Sequence, residues 1–459
     1  MTLFGTAGIR GPVAERVTPE LAMAVGRAAG RDGDRFVVGR DGRDTGPALA
    51  AAMEAGLESS GANVVRVGQL PTPALAFASR GRRGVMLTAS HNPPEDNGIK
   101  LFDDGVEYAR DAEERIEERV DGENATVSWD EWGDGHTAAV LDDYRDAVAA
   151  YARGLGGEAE PGTEPLTDLR IAVDCGNGMG GLATPQVLRA LGAEVVAVNA
   201  NVDGRFPGRP SKPTPETLTE FLSLLDDGSF DLGIAHDGDA DRIVVATGDG
   251  EVVHEDTVLA MLAGHYTRLS DATDPVVVTT PNASARIDER VEEASGRVER
   301  VRLGALHEGI AREREAGDEG TEVVFAAEPW KHIHTAFGGW IDGVTSAAVV
   351  STLVADADGL AALREPITER PYRKVSVDCP DEAKPGAMER LGTSLPEAFP
   401  KGEVDTDYGV RIDLPDGSWV LVRPSGTEPY VRVYAESDDV DTLVDEATSV
   451  VETAVAAGR

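Results

Sequence analysis

Short apolar runs alternate along the chain with amphipathic stretches, and this plan occurs three times with a period of about 100 residues. Each repeat reads as a strand, a polar turn, a helix, a second strand, a second helix and a third strand. The nine predicted strands are residues 36–39, 63–67, 84–87, 170–173, 194–198, 232–235, 275–279, 297–301 and 323–325. Strands separated by helices form mixed, mainly parallel sheets, so the pattern predicts three related α/β domains.

The C-terminal part of the chain, from about residue 371, follows a different pattern. Four predicted strands and a final helix occur at residues 372–377, 410–414, 418–422, 431–434 and 440–456. This pattern predicts a smaller C-terminal α+β domain. Because 459 residues are too many for one hydrophobic core, we expect several domains. The predicted domains are residues 1–150, 151–253, 254–368 and 369–459.

Acidic residues outnumber basic ones by 82 to 43, which gives a formal net charge of −39. Only six of the basic residues are lysines, and the others are arginines. A chain with this much self-repulsion is stable where salt screens its charges, since the Debye length falls to about 3 Å at 1 M. We therefore expect a halophilic protein, with an acidic protein that lacks salt adaptation as the alternative. The charge argues against nucleic acid or an anionic membrane as a partner.

The chain contains no apolar run of membrane-spanning length, and its first residues do not show a basic segment followed by an apolar core. With 41% hydrophobic residues, the composition is typical of a globular protein. We expect a cytoplasmic monomer or dimer whose partners are small molecules.

Polar residues follow the third strand of the first repeat, and ligands bind at the carboxyl ends of strands in such sheets. The loop has the sequence Thr88-Ala89-Ser90-His91-Asn92-Pro93. Ser90 and His91 do not suggest a hydrolase, because sequence neighbours on a loop seldom orient as nucleophile and base. A serine that accepts a phosphoryl group needs positive charge nearby, and Lys100 is one of the six lysines. From these residues alone, a hydroxyl that caps a helix is an open alternative.

The corresponding loop of the second repeat carries three carboxylates at alternate positions, Asp237, Asp239 and Asp241. Apolar strands flank the loop on both sides, so burial of three acids together would be costly without a cation. An EF-hand is excluded because the sixth position is Arg242 rather than Gly and the twelfth is Gly248 rather than Glu. A small carboxylate set suits Mg²⁺, which keeps room for phosphate oxygens. A solvated acidic turn is the alternative.

A further polar loop lies in the C-terminal domain, with the sequence Arg423-Pro424-Ser425-Gly426-Thr427-Glu428-Pro429 and with Arg432 beyond it. Two hydroxyls, the backbone N–H groups around Gly426 and two guanidinium groups suit a tetrahedral dianion. A surface turn without a ligand is the alternative.

Together these residues resemble, along essentially the whole chain, the α-D-phosphohexomutase superfamily of phosphoglucomutases, phosphomannomutases and phosphoglucosamine mutases. Residues 4–11 are similar to its N-terminal signature, and residues 88–93, 237–242 and 423–429 to its phosphoserine, metal and phosphate-binding loops. The resemblance implies four domains around a central cleft. It also implies an intramolecular phosphotransferase that interconverts hexose 1-phosphate and hexose 6-phosphate. With the acidic composition, it suggests a salt-adapted, haloarchaeal source.

The resemblance assigns roles to individual residues. Ser90 would carry the phosphoryl group and would bind one Mg²⁺ together with Asp237, Asp239 and Asp241. A hexose 1,6-bisphosphate would be the intermediate and the activator. Further catalytic residues would be Lys100, Arg242 and His91. Substrate-binding residues would be Arg10, Asn92, Glu328, Lys331, His332, Arg423, Ser425, Gly426, Thr427 and Arg432.

One stretch departs from the superfamily pattern. Where members usually carry Gly-Glu-x-Ser-Gly-His, this chain has Ala327-Glu328-Pro329-Trp330-Lys331-His332. Glu328 and His332 fit the pattern, whereas Trp330 and Lys331 replace small residues. Because this loop would contact the sugar hydroxyls, the choice among glucose, mannose and glucosamine phosphates stays open.

Two other functions are compatible with these residues. Asp237 and Asp239 form an Asp-x-Asp pair after a strand, which also suits a phosphatase with an aspartate nucleophile. The second alternative is a non-catalytic protein that binds a sugar phosphate or Mg²⁺. The position of a covalent phosphate would distinguish the three functions.

Overall fold

A computed structural model of the chain describes residues 3–5, 8–122, 125–155, 164–426 and 428–457. Its α-helices are α1 (Pro19–Ala29), α2 (Gly46–Glu58), α3 (Thr72–Ala78), α4 (Arg110–Asp121), α5 (Leu141–Leu155), α6 (Thr184–Ala190), α7 (Thr219–Asp227), α8 (Glu255–Leu269), α9 (Ala285–Glu293), α10 (Leu306–Ala316), α11 (Gly343–Asp356), α12 (Leu360–Arg364), α13 (Lys384–Ala398) and α14 (Val440–Ala456). Short 3₁₀ helices lie at Met179–Leu182 and Asp381–Ala383. In the described residues, no helix is both long and apolar enough to cross a membrane.

The strands form four sheets. They are β1 (Ile9–Pro12), β2 (Arg35–Arg40), β3 (Asn63–Gln69), β4 (Arg83–Leu87), β5 (Asp96–Asp103), β6 (Val106–Glu107), β7 (Gly135–Thr137), β8 (Arg170–Asp174), β9 (Glu194–Val198), β10 (Leu232–His236), β11 (Ile243–Thr247), β12 (Asp274–Thr279), β13 (Arg297–Arg300), β14 (Thr321–Glu328), β15 (Lys331–Ile333), β16 (Tyr372–Asp378), β17 (Glu403–Asp405), β18 (Val410–Asp413), β19 (Trp419–Pro424) and β20 (Tyr430–Glu436). The strand orders are β1-β5-β4-β2-β3-β7 with β6 beside β5, β11-β10-β8-β9, β13-β12-β14-β15 and β16-β20-β19-β18-β17.

The first three sheets have the mixed, mainly parallel architecture predicted from the sequence. In the first, β2 pairs in parallel with β3 and β4; in the second, β8 pairs in parallel with β9 and β10. All nine predicted strands of the repeats are present. The C-terminal sheet is antiparallel throughout and packs with α13 and α14, which confirms the predicted α+β domain.

Each of the three polar loops is followed by a return strand that pairs antiparallel with the strand before the loop. Two of these strands were not predicted from the sequence: β5, which pairs with β4 after the serine loop, and β15, which pairs with β14. The third is β11, which follows the carboxylate loop and pairs with β10. In each of the three sheets, the polar residues therefore lie at a reversal between neighbouring strands. This arrangement holds both ends of the loop in the sheet and limits its freedom.

Several helices of the structure were not predicted from the sequence, and α11 and α13 illustrate two different reasons. Twelve of the 14 residues of α11 are buried, so this helix has no polar face to mark its period. In α13, Pro396 lies inside the helix, where proline usually indicates a break. Their helical conformation follows from tertiary packing rather than from a local pattern.

The chain forms two compact units. Unit 1 comprises Met1–Val258 and Phe325–Arg364, and unit 2 comprises Leu259–Val324 and Glu365–Arg459. Residues 88–94, 237–242 and 327–332 belong to unit 1, whereas residues 423–429 belong to unit 2. The four predicted domain boundaries stay a prediction.

Candidate active site

The serine loop, defined here as residues 88–94, begins where the buried strand β4 ends. Ser90 has an exposed fraction of 0% and a φ of +52°. A residue with a Cβ adopts this left-handed conformation at a cost of about 1–2 kcal/mol. The Ser90 N–H donates a hydrogen bond to Thr88 Oγ1 at 2.9 Å, and the Thr88 hydroxyl donates to Asp41 Oδ2 at 2.7 Å. Backbone strain of this kind is concentrated at functional sites.

The metal loop, defined here as residues 237–242, follows the buried strand β10. Asp237, Asp239 and Asp241 are all buried, and one ligand oxygen from each lies within 4.8 Å of the others. Ala240 turns the chain with a φ of +59°. Within the part of the chain that the structure describes, Asp239 Oδ1 and Asp241 Oδ1 have no hydrogen-bond partner. Buried carboxylate oxygens without a donor are costly, so this set fits a hard divalent cation such as Mg²⁺.

The serine loop and the metal loop are in direct contact. Ser90 Oγ donates a hydrogen bond to Asp237 Oδ2 at 2.7 Å. Gly238 permits this approach, because a Cβ at that position would lie 2.5 Å from the Ser90 carbonyl oxygen. The fold thus brings the predicted phosphoserine and the three predicted metal ligands together.

Lys100 lies on β5 and points its ammonium group at the carboxylates. Its Nζ is 2.9 Å from Asp241 Oδ2, 3.3 Å from Glu107 Oε1 and 3.7 Å from Asp239 Oδ2. Burial alone would lower the pKa of Lys100, but these three carboxylates outweigh burial and raise it above its usual range. Lys100 is therefore a buried cation within the carboxylate cluster.

The three carboxylates are not electrostatically equivalent. Burial would raise the pKa of Asp241, yet the neighbouring cations Lys100, Arg242 and Lys331 hold it below its usual range. The pKa of Asp237 lies well above its usual range, because burial and then the charges of Asp241 and Asp239 oppose its ionisation. The surroundings of Asp237 therefore oppose its ionisation, and a bound divalent cation would favour the ionised form.

Arg242 and Arg10 lie near His91 of the serine loop. Arg242 Nε lies 3.8 Å from both Asp237 Oδ2 and Asp241 Oδ1. Among the described residues, neither Arg242 Nε nor Arg10 Nε has a hydrogen-bond partner. His91 Nδ1 is 3.3 Å from Ser90 Oγ, and burial followed by the charges of Arg242 and Arg10 lowers its pKa to about 3. Two cations with open N–H groups can receive an anionic ligand.

Asn92 has a local structural partner. Its Nδ2 donates to Asp96 Oδ2 at 2.9 Å, which closes the serine loop onto the start of β5. The predicted contact of Asn92 with substrate stays a prediction.

The third predicted loop is a tight hairpin between β14 and β15. Glu328 pairs with Lys331 across the hairpin, and Lys331 Nζ lies 3.6 Å from Glu328 Oε2. Trp330 has a φ of +68°, and its carbonyl oxygen accepts from Ile243 N–H at 3.1 Å. Lys331 forms an isolated antiparallel bridge with Arg242. Backbone contacts thus join this hairpin to the metal loop.

The side chains of Trp330 and His332 both have contacts within unit 1. Trp330 packs against an apolar cluster that includes Phe221 and Leu225. His332 is buried, its Nδ1 lies 3.0 Å from Ser346 Oγ, and burial lowers its pKa to about 3. The predicted contact of His332 with a sugar stays a prediction.

In unit 2, the two strands that flank the predicted phosphate-binding loop each carry an arginine. Arg423 and Arg432 are direct neighbours across β19 and β20. Arg423 donates to Tyr434 Oη at 2.9 Å and Arg432 to Glu428 Oε2 at 2.8 Å, but in the described chain neither Nε has a partner. Adjacent like charges are destabilising across strands unless an anion offsets them. Of the other predicted residues, Ser425 is buried, Gly426 is exposed, and Thr427 lies outside the described residues.

Comparison with known proteins identifies the family. Three models of the phosphoglucomutase/phosphomannomutase family match: alpha/beta/alpha domain I at residues 1–126, alpha/beta/alpha domain II at 144–250 and the C-terminal domain at 375–453. The "Phosphopentomutase" of Thermococcus kodakarensis is 42% identical over 95% of this chain and 94% of its own. A "Probable phosphoglucosamine mutase" of Methanopyrus kandleri is 42% identical over 98% of this chain and 97% of its own. This chain belongs to the α-D-phosphohexomutase superfamily. It is an intramolecular phosphotransferase of carbohydrate metabolism.

Solved structures of superfamily members have the same fold. A phosphoglucomutase/phosphomannomutase family protein from Burkholderia thailandensis aligns with a TM-score of 0.84 and 26% identity over 100% of this chain and 97% of its own. The N-acetylphosphoglucosamine mutase of Aspergillus fumigatus, solved in complex with GlcNAc-6P and magnesium, aligns with a TM-score of 0.63 and 16% identity over 100% and 96%. The second likeness shows the fold alone.

Sequence reasoning missed several polar residues that support the superfamily loops. Thr72 Oγ1 donates to Asp239 Oδ2 at 2.6 Å, and Lys384 Nζ donates to the carbonyl oxygens of Ser425 and Glu428, each at 2.6 Å. Arg43 lies buried beneath the serine loop. The scarcity of lysines could have drawn attention to Lys384, but Thr72 and Arg43 act on loops that are distant in sequence.

Proposed function

We propose that this superfamily member interconverts the 1-phosphate and the 6-phosphate of a hexose through a phosphorylated Ser90. The observation that carries the proposal is the 2.7 Å contact of Ser90 Oγ with Asp237, at the edge of a buried cluster of three carboxylates. Phosphoryl transfer is catalysed mainly by positioning and by charge neutralisation. A serine hydroxyl between a cation site and buried positive side chains meets both requirements.

The proposed cofactor is one Mg²⁺, held by Asp237, Asp239, Asp241 and the phosphorylated Ser90. Two carboxylate oxygens of this set have no donor among the described residues and are therefore open ligand atoms. When bound, the ion would neutralise charge on the transferring phosphoryl group. Magnesium in the structure of the Aspergillus fumigatus relative supports this choice.

The proposed reaction consists of two transfers. In the first, a free hydroxyl of the hexose monophosphate attacks phospho-Ser90; the bond from phosphorus to Ser90 Oγ breaks, and the hydroxyl proton passes to that oxygen. The product is a hexose 1,6-bisphosphate. In the second, Ser90 Oγ attacks the other phosphate and returns its proton to the sugar. Lys100 and Arg242 would stabilise the negative charge and assist the proton transfers. His91, whose Nδ1 lies 3.3 Å from Ser90 Oγ, would be a further catalytic residue.

Substrate recognition is proposed for the two remaining loops. Glu328, Lys331 and His332 would contact the sugar hydroxyls, and Arg10 and Asn92 would support the phosphate at the serine loop. We propose that the loop of unit 2 binds phosphate through Arg423, Ser425, Gly426, Thr427 and Arg432. The proposed substrates are glucose, mannose or glucosamine phosphates. Because one relative is named a phosphopentomutase, pentose phosphates belong in the same substrate panel.

The decisive experiment is to locate the covalent phosphate. The protein is incubated with a labelled hexose 1,6-bisphosphate, and its peptides are mapped by mass spectrometry. We expect the label on Ser90, and Ser90→Ala should lose both label and turnover while its circular dichroism stays unchanged. Ser79→Ala, which removes another fully buried hydroxyl, is the matched control and should keep both.

The other functions predict different outcomes of this experiment. Label on Asp237 would indicate an aspartyl phosphatase, and no label on any residue would indicate a binding protein. Wild-type turnover in Ser90→Ala would refute the proposed mechanism even if Ser90 were labelled in the wild-type protein.

A further inference from the structure

Arg43 lies directly beneath the serine loop, in a polar turn between β2 and α2. Its side chain is fully buried, and it forms an ion pair with Asp41 at 3.0 Å. The partners of its guanidinium group are, apart from Asp41, the carbonyl oxygens of the serine loop and of the first residue of β5. Arg43 therefore contacts the backbone of the loop that carries Ser90, not its side chains.

The five N–H donors of this guanidinium group all have acceptors. Nε donates to Asp41 Oδ2 at 3.0 Å. One terminal nitrogen donates to the carbonyl oxygens of Pro93 at 2.5 Å and Asp96 at 2.8 Å, and the other to those of Asn92 at 2.7 Å and Ser90 at 3.0 Å. Arginine is the only side chain that presents five donors in one rigid plane. The planar group thus fixes four carbonyl oxygens of a seven-residue segment relative to one another.

The same network reaches the strained residue. Asp41 accepts from the Thr88 hydroxyl, which in turn accepts from the Ser90 N–H. Both backbone groups of Ser90, its N–H and its carbonyl oxygen, are therefore connected to the Asp41–Arg43 pair. A left-handed serine persists only where its surroundings over-determine it, and this network supplies that constraint.

Arg43 also connects the serine loop with the metal loop. Its guanidinium group lies 5.2 Å from the centre of the Phe206 ring, and a Cβ on Gly238 would lie 3.3 Å from Phe206 Cζ. A few residues beyond Phe206, Ser211 Oγ donates to the Asn92 carbonyl oxygen at 3.0 Å. The segment around Phe206 thus packs on Arg43 and on the metal loop together.

The second α/β repeat contains a comparable pair. Arg209 Nε donates to Asp174 Oδ2 at 2.7 Å, and its terminal nitrogen donates to the carbonyl oxygen of His236 at 2.6 Å. Asp174 ends the first strand of its repeat, and His236 directly precedes the metal ligand Asp237. In both repeats, the aspartate of a buried Asp–Arg pair lies at the carboxyl end of the first strand, and the arginine holds backbone carbonyl oxygens at or just beyond the end of the third strand.

We propose that Arg43 is a positioning residue for phosphoryl transfer, which holds Ser90 in its left-handed conformation with Oγ on Asp237. This inference rests on the proposed role of Ser90 as the phosphoryl carrier. Arg43 contacts neither the Ser90 hydroxyl nor the three aspartates of the metal loop, so its effect on the reaction passes through the backbone of the serine loop. Its loss should slow the chemical step without weakening substrate binding.

The test compares Arg43→Lys and Arg43→Met with wild type, with Arg205→Met as the matched control. Arg205 is an exposed arginine whose Nε lies 3.0 Å from Asp44 Oδ2. Misplacement of a reacting group by about 1 Å costs roughly 10²-fold in rate. We expect kcat and the rate of Ser90 phosphorylation to fall by about 10- to 100-fold in the Arg43 variants, with KM within about twofold of wild type. Arg205→Met should match wild type.

Two features of the result separate positioning from general stability. Arg43→Lys keeps the charge beside Asp41 but has three donors in place of five, so it should fold and still be slow. Thr88→Val removes only the hydroxyl between Asp41 and the Ser90 N–H, and it should also lower kcat with KM unchanged even if neither Arg43 variant folds. Wild-type kcat in Thr88→Val or in a folded Arg43 variant, or a change confined to KM, would overturn the inference. Absence of phosphate on Ser90 in the wild type would instead refute the proposed function.

Discussion

The left-handed conformation of Ser90 should be measurable as a free energy. At this position, Ser90→Ala keeps the Cβ and therefore the backbone strain, whereas Ser90→Gly removes both. Both variants lose the hydrogen bond from Oγ to Asp237, so that contribution cancels in their comparison. Ala89 is the matched reference, because it is equally buried in the same loop and does not have a positive φ.

The expected magnitudes follow from three contributions. Removing a buried methyl group costs about 0.8 kcal/mol, and the extra freedom of glycine in the unfolded chain costs about 0.4–1 kcal/mol. Ala89→Gly should therefore lower the free energy of unfolding by about 1–2 kcal/mol. At position 90, release of about 1–2 kcal/mol of strain offsets these losses, so Ser90→Gly and Ser90→Ala should be about equally stable.

The assay is urea denaturation at constant high salt, followed by circular dichroism and tryptophan fluorescence. The informative quantity is the cost of changing alanine to glycine at each position: Ala89→Gly against wild type, and Ser90→Gly against Ser90→Ala. We expect the cost at position 89 to exceed that at position 90 by about 1–2 kcal/mol. Equal costs at the two positions would show that the backbone of Ser90 stores no strain, and the argument for Arg43 as its constraint would lose its basis.

Three further predictions address charge, recognition and pH. Because the formal charge of −39 repels itself at low ionic strength, the unfolding midpoint should rise markedly from dilute buffer to molar KCl, and a flat profile would contradict the predicted salt adaptation. Glu328→Ala should lower kcat/KM by about tenfold or more, and the labelling of Ser90 by the bisphosphate should decrease less than kcat/KM. Unchanged selectivity among sugar phosphates in both Glu328→Ala and Lys331→Gly would show that other residues recognise the sugar. Burial lowers the pKa of His332 from 6.5 to about 3 and that of His265 to about 4, so below pH 6.5 the unfolded chain binds protons that the folded chain does not. Stability should therefore fall as the pH drops from about 6.5 towards 4. Replacing both histidines by glutamine should make this slope shallower in a pH series of urea midpoints, and the lowered pKa values of His91 and His236 should maintain the remainder.

Local patterns were sufficient for the nine strands of the repeats, but not for the return strands β5 and β15. Apolar runs such as residues 232–235 can be read as buried strands without any knowledge of their neighbours. The alternating acids of the metal loop predict a cation site because the flanking residues already indicate burial. The same reasoning failed for α11, because this helix is buried on nearly all sides and has no exposed polar face that would mark its period.

The contacts that assemble the candidate site could not be read from local patterns, because they join residues far apart in the chain. Arg43 and Ser90 are separated by 47 residues, Lys100 and Asp241 by 141, and Thr72 and Asp239 by 167. Sequence identifies such residues as basic or hydroxylic but leaves their partners undetermined, since the partner depends on strand order and on where each loop leaves its sheet. Strand order is decided by the packing of whole sheets and helices. For this reason the residue types of the site were predictable from the sequence, whereas the support that Arg43 gives to Ser90 became visible only in the folded chain.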